Sequence, residues 1–139
     1  MSSKASIVTI ACVLALGLAV PPVVAQQTTA DGVFTAAQAE RGAATYASAC
    51  SSCHGDDLVA TDAEAPSLSG FSFTLGFKGK TLGERFETIK SSMPFQAPGS
   101  LTDQEYVDII AYILSFNGKP VGDAELPTDP VLLAEITVD

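Results

Sequence analysis

Three residues that can do chemistry lie together in the segment ACSSCHG, from Ala49 to Gly55. Cys50 and Cys53 are separated by two serines, and His54 directly follows the second cysteine. Two thiols at this spacing can close a disulfide, act as a redox dithiol or bind a metal ion, and a neighbouring histidine can serve as a further ligand. A fourth use is the covalent attachment of a prosthetic group.

The residues around the motif disfavour two of these uses. A thioredoxin-like dithiol is expected at a strand-to-helix junction, whereas this motif ends a predicted helix with no strand before it. A structural zinc site needs four ligands, and after residue 25 the sequence has no cysteine or histidine besides Cys50, Cys53 and His54. A simple disulfide between the two cysteines stays possible in an oxidising compartment.

The pentapeptide from Cys50 to His54 also has the C-x-x-C-H pattern of c-type haem attachment. In such a site two thioethers anchor the porphyrin, and the adjacent imidazole is an iron ligand. The three helices predicted below would form only a small hydrophobic core for one domain, and a large planar cofactor would supply the missing part of that core. We therefore predict one covalently attached haem c, with Cys50 and Cys53 as anchors and His54 as a metal ligand.

The first 25 residues predict export. They carry one charge, Lys4, before an apolar run, and Val23 and Ala25 are small residues at the spacing of a cleavage site. The apolar run, about 14 residues, is shorter than the roughly 20 that a membrane span needs. We predict a signal peptide over 1–25, discarded together with Cys12, and a periplasmic domain over 26–139 with no stable membrane anchor.

Met93, in SSMPFQAPGS, is the methionine that remains once Met1 leaves with the signal peptide. It lies in a Pro- and Gly-rich loop, whereas a core methionine usually lies on an apolar helical face. We predict that Met93 is the second axial ligand, which raises the reduction potential and suits electron transfer. The alternative is an open or water-bound iron, which would make the protein a haem enzyme or gas sensor.

The predicted mature chain is strongly acidic, with 16 acidic side chains against the 6 basic ones that remain without Lys4, a net charge of −10. Such a charge repels nucleic acid, and it favours redox partners that present basic patches. An equally simple interpretation is that the acidic groups keep an exported protein soluble.

Capping patterns define the elements that must position these residues. Thr35 and Gln38 form a predicted capping box at the start of a helix over about 36–49, which ends at the motif. Thr102 and Glu105 begin a second helix, which stops near Gly118. This second helix has a predicted buried stripe at helical spacing: Tyr106, Ile109, Ile110, Ile113 and Leu114.

A shorter helix is predicted between these two, from about Leu82 to Ser91. The segment 56–80 has little periodicity and three glycines, so it is predicted as mostly loop. The proline-rich tail from Lys119 is predicted to be extended, with one helical turn where Asp129 and Pro130 occupy the N-cap and N1 positions.

Together these features resemble a class I cytochrome c over nearly all of the chain after residue 25. In that family a glycine and an aromatic residue of the first helix pack against an aromatic residue of the last, and Gly42, Tyr46 and Tyr112 are similarly placed. The resemblance implies a small all-α fold, with three main helices and long loops around the haem. It also implies that the carbonyl of Pro66, twelve residues after His54, accepts the histidine Nδ1 hydrogen.

More narrowly, MPFQAPGSLTDQEYVDIIAYILSFNGKPVGDAELP is similar to cytochromes that accompany periplasmic quinoprotein alcohol dehydrogenases. This resemblance implies an electron-transfer protein, not an enzyme, that takes single electrons from a quinoprotein (PQQ) dehydrogenase to a terminal oxidase or another cytochrome. A permanent cytochrome subunit of a dehydrogenase or oxidase complex is the alternative, with the tail from Lys119 as a docking strap. A tail packed along the domain would favour the free carrier.

Phenylalanines flank the predicted methionine loop and can either line a haem pocket or form ordinary core: Phe71, Phe73, Phe77, Phe86 and Phe95. Phe95 lies beside Met93, and we expect it at the haem wall.

Overall fold

The computed structural model describes residues 26–139, so the predicted signal peptide lies outside the described residues. The regular secondary structure of the described part is helical apart from two strands of two residues each, which confirms the all-α prediction. None of its helices is long and apolar enough to cross a membrane. In chain order the elements are β1 (Gln27–Thr28), a 3-10 turn (Thr29–Asp31), α1 (Ala36–Ala49), α2 (Ser51–His54), α3 (Gly70–Phe77), α4 (Leu82–Ser92), α5 (Asp103–Phe116), α6 (Pro130–Ala134) and β2 (Ile136–Thr137).

Helices α1 and α5 form the central pair of the fold. A Cβ atom added at Gly42 would lie 1.8 Å from the carbonyl oxygen of Asp108, so the two backbones meet where no side chain fits between them. The rings of Tyr46 and Tyr112 pack beside this crossing with their centroids 5.2 Å apart. The predicted close approach at Gly42 and the predicted packing of Tyr46 on Tyr112 are therefore confirmed, between α1 and α5.

The predicted ends of α5 are also confirmed. Thr102 and Glu105 form a reciprocal capping box, and the helix ends at Phe116, two residues before Gly118 with its positive φ of 78°. All five residues of the predicted apolar stripe are buried. The helix therefore presents a continuous apolar face to the core, as its sequence period requires.

Gln38 corrects one detail of the α1 prediction. Thr35 does cap the helix by accepting a hydrogen bond from the Gln38 amide, but the Gln38 side chain does not reach back to close a capping box. Its amide group is buried and pairs with the backbone of Leu126, donating to the carbonyl at 3.2 Å and accepting from the N–H at 2.8 Å. A buried amide needs both partners, and the tail backbone supplies them.

The segment 56–80 is mostly loop, as predicted, but α3 forms in its second half, where no helix was predicted. Phe73 and Phe77, four residues apart, are buried and stacked with their centroids 4.8 Å apart. Phe71 and Leu75 are exposed on the other side, so the segment is apolar all round and lacks the polar face that makes helical periodicity visible in a sequence.

The expected shortage of core was wrong as well. Twenty hydrophobic residues of the described chain form one buried cluster. Besides α1 and α5, this cluster draws on α3 and on four residues of the tail: Leu126, Leu133, Ile136 and Val138. The need for a core-filling cofactor, which we inferred from the sequence, therefore carries little weight.

The tail packs along the domain. Asp129 caps α6 and Pro130 occupies its first turn, as predicted. A Cβ at Gly83 would lie 3.0 Å from the backbone of α6, so the tail helix rests directly on α4. Beyond α6, β2 pairs in parallel with β1, which joins the two ends of the described chain.

Candidate functional site

The two cysteines lie at the turn between the first two helices. Cys50 is the last residue before α2, and the His54 amide donates to its carbonyl at 3.0 Å. Both thiols are free and partly exposed, so the disulfide left possible by the sequence is not formed. Burial raises the pKa of the Cys50 thiol to about 11, which keeps it protonated and a weak nucleophile near neutral pH.

His54 is buried and held by one nitrogen. Its Nδ1 lies 2.8 Å from the carbonyl oxygen of Pro66, so the structure brings these two predicted residues together. The carbonyl can only accept, so this contact places the hydrogen on Nδ1. Nε2 has no hydrogen-bond partner within residues 26–139. The nitrogen that would bind a metal is therefore free of hydrogen bonds in the part of the chain that the structure describes.

Backbone contacts around Gly55 fix the end of the motif. Gly55 has φ 76° and ψ 152°, a region that is essentially restricted to glycine. Its carbonyl accepts a hydrogen bond of 2.7 Å from the hydroxyl of Tyr46, which is fully buried. The ring that packs on α5 thus also holds the peptide next to His54.

The loop after the motif folds back on it. The amides of Thr61 and Asp62 both donate to the Cys53 carbonyl, and the Leu68 amide donates to the Leu58 carbonyl at 2.8 Å. Leu58 is fully buried although its φ is positive, at 59°. These contacts place Pro66 within reach of His54 through several independent hydrogen bonds.

Met93, the predicted second ligand, is the residue that directly follows α4. Its amide donates to the Ile89 carbonyl at 2.7 Å, and its carbonyl accepts 2.8 Å from the hydroxyl of Tyr106 on α5. The side chain is partly buried. The sequence analysis missed the contact with Tyr106, because a tyrosine within an apolar helical stripe gives no sign of where its hydroxyl points.

The phenylalanines divide into two groups. Phe73, Phe77 and Phe86 are buried in the protein core. Phe71 and Phe95 are exposed to solvent, and the relative exposure of Phe95 is 80%. Phe95 lies two residues beyond Met93, and its role as a haem-wall residue stays a prediction.

The surface next to the motif is acidic. The loop that follows His54 has four acidic residues, all exposed: Asp56, Asp57, Asp62 and Glu64. The ion pairs found within residues 26–139 lie elsewhere, among them a fork in which Arg41 binds both Asp108 and Glu125. The edge of the candidate site is therefore negative.

These residues fit a haem. Within the described chain no group of three or more histidine, cysteine, aspartate and glutamate side chains is placed to hold a metal ion. Cys50 and Cys53 are free, partly exposed thiols beside an imidazole with a free Nε2. This is the donor set that a covalently anchored iron porphyrin requires.

Comparison with protein families matches residues 37–113 to the family described as cytochrome C oxidase, cbb3-type, subunit III. The match spans more than half of the chain. The chain belongs to this family and is a class I c-type cytochrome. As a cytochrome it is a haem-based electron-transfer protein, and the matched range includes the C-x-x-C-H motif, Pro66 and Met93. Searches of curated proteins and of solved structures gave no match for this cytochrome.

Proposed function

We propose that the protein is an exported monohaem cytochrome c that carries single electrons in the periplasm. The observation that carries the proposal is the state of His54, whose Nδ1 is held by the Pro66 carbonyl while Nε2 is left free beside two free thiols. A hydrogen bond to Nδ1 orients a ligating imidazole and strengthens it as a donor. This arrangement is what an iron ligand needs and what a core histidine does not.

Each predicted site residue has a distinct role in this proposal. Cys50 and Cys53 would anchor the single haem covalently, and His54 and Met93 would be the ligands of its iron. When bound, the haem supplies a one-electron iron couple, whose potential methionine ligation raises. The protein then orients the ligands and keeps water from the buried side of the site, and no acid–base group is required.

We further propose that electrons come from a quinoprotein (PQQ) dehydrogenase and leave to a terminal oxidase or another cytochrome. The segment from Met93 to Pro127, with its similarity to the cytochromes of quinoprotein alcohol dehydrogenases, supports the choice of donor. The acidic loop beside the motif supports partners with basic surfaces. Electron transfer to such partners should therefore slow as ionic strength rises.

A spectroscopic experiment tests the core of the proposal. The full chain is expressed with a cytochrome c maturation system, and its visible and near-infrared spectra are recorded in both oxidation states beside those of Met93→Ala. We expect covalent low-spin haem with a sulfur-to-iron charge-transfer band in the oxidised protein and loss of that band in the variant. A high-spin wild type, or ready binding of carbon monoxide, would contradict the carrier and favour the enzyme or sensor.

The same sample tests export. Intact-mass measurement of the periplasmic protein should give a chain that begins at Gln26 and carries one haem. A chain that retains residues 1–25 would contradict the cleavage proposal without affecting the assignment of the ligands.

A permanent subunit is the second candidate, because the family description names an oxidase subunit. The packed tail argues against a free docking strap, since Leu126, Leu133, Ile136 and Val138 are buried against the protein's own core. Size-exclusion chromatography of the native protein separates the two candidates. A monomer favours the free carrier, and co-elution with a dehydrogenase or an oxidase favours the subunit.

A further inference from the structure

The hydroxyl of Tyr106 makes one contact that its place in the core does not explain. Tyr106 lies in the first turn of α5 and is fully buried, and its hydroxyl donates 2.8 Å to the carbonyl of Met93. That carbonyl has one other donor within the described chain, the Gly99 amide, at a longer 3.4 Å. The tyrosine therefore supplies the shorter of the two hydrogen bonds on the Met93 peptide.

The ring that carries this hydroxyl is rigidly placed. The edge of the Phe86 ring meets Tyr106 at 87°, with the centroids 6.3 Å apart. The neighbouring Lys90 on α4 pairs with Asp103 at the start of α5, at 2.7 Å, so the two helix ends that flank the methionine loop are braced together. The Tyr106 hydroxyl on α5 therefore donates to Met93, the residue that directly follows α4.

We propose that Tyr106 is the positioning residue for Met93, and that its hydroxyl sets how readily the thioether leaves the iron. The inference rests on the proposed ligation by Met93. Met93 is extended, with φ −127° and ψ 153°, and the direction of its carbonyl fixes ψ and, through it, the course of the loop that follows. Residues 95–100 are all exposed, so few other contacts oppose a swing of this loop.

Tyr46 offers a matched control. It is equally buried, and its hydroxyl donates 2.7 Å to a backbone carbonyl, that of Gly55 beside His54. Tyr46→Phe and Tyr106→Phe each remove one buried hydroxyl of similar geometry. Both should cost stability, but the Tyr106 change alone acts on the methionine.

The test is a titration of the oxidised, haem-loaded full chain with imidazole, followed by loss of the sulfur-to-iron charge-transfer band. The apparent affinity of an added ligand scales with the fraction of molecules in which the site is open. Removal of one hydrogen bond should increase that fraction, so we expect Tyr106→Phe to bind imidazole about three- to tenfold more tightly than wild type. Tyr46→Phe should bind it within about twofold of wild type.

Equal affinities in Tyr106→Phe and Tyr46→Phe would overturn the inference while leaving Met93 as a ligand. Absence of the band in the wild type would instead overturn the proposed ligation itself. If Tyr106→Phe takes up no haem, Lys90→Met replaces it, because this change removes the neighbouring brace and keeps the tyrosine. An increase in imidazole affinity, smaller than tenfold, then supports the inference, and an unchanged affinity opposes it.

Discussion

The histidine segment, residues 50–68, and the methionine segment, residues 93–101, carry the two proposed iron ligands but are held very differently. The histidine segment is tied by its own backbone hydrogen bonds, by the Tyr46 hydroxyl and by the buried side chain of Leu58. The methionine segment has an exposed loop, and its first residue is held to α5 by the Tyr106 hydroxyl.

This difference indicates that the two proposed ligands have different roles, one fixed in the fold and one able to exchange. A ligand whose whole segment is tied by several independent contacts cannot leave without local unfolding, whereas one followed by an exposed loop can exchange at lower cost. We expect the histidine side to be a fixed part of the fold. We expect sequence changes in the methionine segment to alter how readily Met93 leaves the iron. A gas sensor, which needs a displaceable ligand, would depend on the same segment.

Two glycines with positive φ give the largest expected contrast. Gly55 has φ 76°, and a Cβ there would lie 2.0 Å from the Val59 carbonyl oxygen, whereas Gly99 has φ 74° and its nearest neighbour would be 3.9 Å away. Gly55→Ala adds a backbone clash to the cost of a left-handed alanine and should lose about 4 kcal/mol or more. Gly99→Ala should lose about 1–2 kcal/mol, the cost of the conformation alone. Urea unfolding of both haem-loaded variants measures the difference.

Each variant is the control for the other, because both add one methyl group at a positive φ. Equal losses of unfolding free energy would contradict the comparison, since the histidine segment would then tolerate a displacement that its contacts should forbid.

One large apolar residue in each segment gives the second contrast. Leu58 is fully buried, and Leu58→Ala should cost about 2–5 kcal/mol through lost contacts and the cavity left behind. Phe95 is mostly exposed on the chain, so Phe95→Ala should cost no more than about 1 kcal/mol. If Phe95 lies at the haem wall, the variant should also have a lower reduction potential, because water then stabilises the charged, oxidised iron.

Unfolding and voltammetry of the two loaded variants make this measurement. A Phe95→Ala loss as large as that of Leu58→Ala would mean that the methionine segment is as firmly packed as the histidine segment. An unchanged potential would remove Phe95 from the haem wall.

The two segments also differ in how far the sequence reveals them. The C-x-x-C-H spacing and the end of α1 at Ala49 follow from local patterns, because capping and helix periodicity act over a few residues. The contact between His54 and Pro66 required the family resemblance, since proline in a loop has no pattern of its own. What the sequence leaves out are contacts between distant segments, such as Tyr106 with Met93 and Gln38 with Leu126. These depend on how helices pack, which no local pattern encodes.

Helix α3 shows a second limit. A helix with one apolar face is visible as a period, but α3 has apolar residues on both faces and two glycines, Gly70 and Gly76. Its helical state comes from the packing of Phe73 and Phe77 in the core. Tertiary contacts therefore make this segment helical although its intrinsic helix propensity is weak.

The ion pair between Lys90 and Asp103 gives the smallest expected effect, and its pH dependence is specific to the methionine side. The hydrogen bond to Asp103 raises the pKa of Lys90, so the stabilisation is present below the unfolded value of about 10.4 and is lost as pH rises through the higher folded value. Lys90→Met should therefore lower the urea midpoint slightly at pH 7, and less at 1 M salt, where exposed pairs are screened. Lys80→Met removes the same charge from an exposed side chain and should leave the midpoint unchanged.

At a pH above the folded pKa of Lys90, wild type and Lys90→Met should have the same urea midpoint. The Nζ of Lys90 also lies 5.4 Å from the centroid of the Phe86 ring, and this cation–π contact is lost with the charge as well. A difference in midpoint that persists at high pH would therefore mean that the uncharged side chain of Lys90 braces the methionine loop by packing.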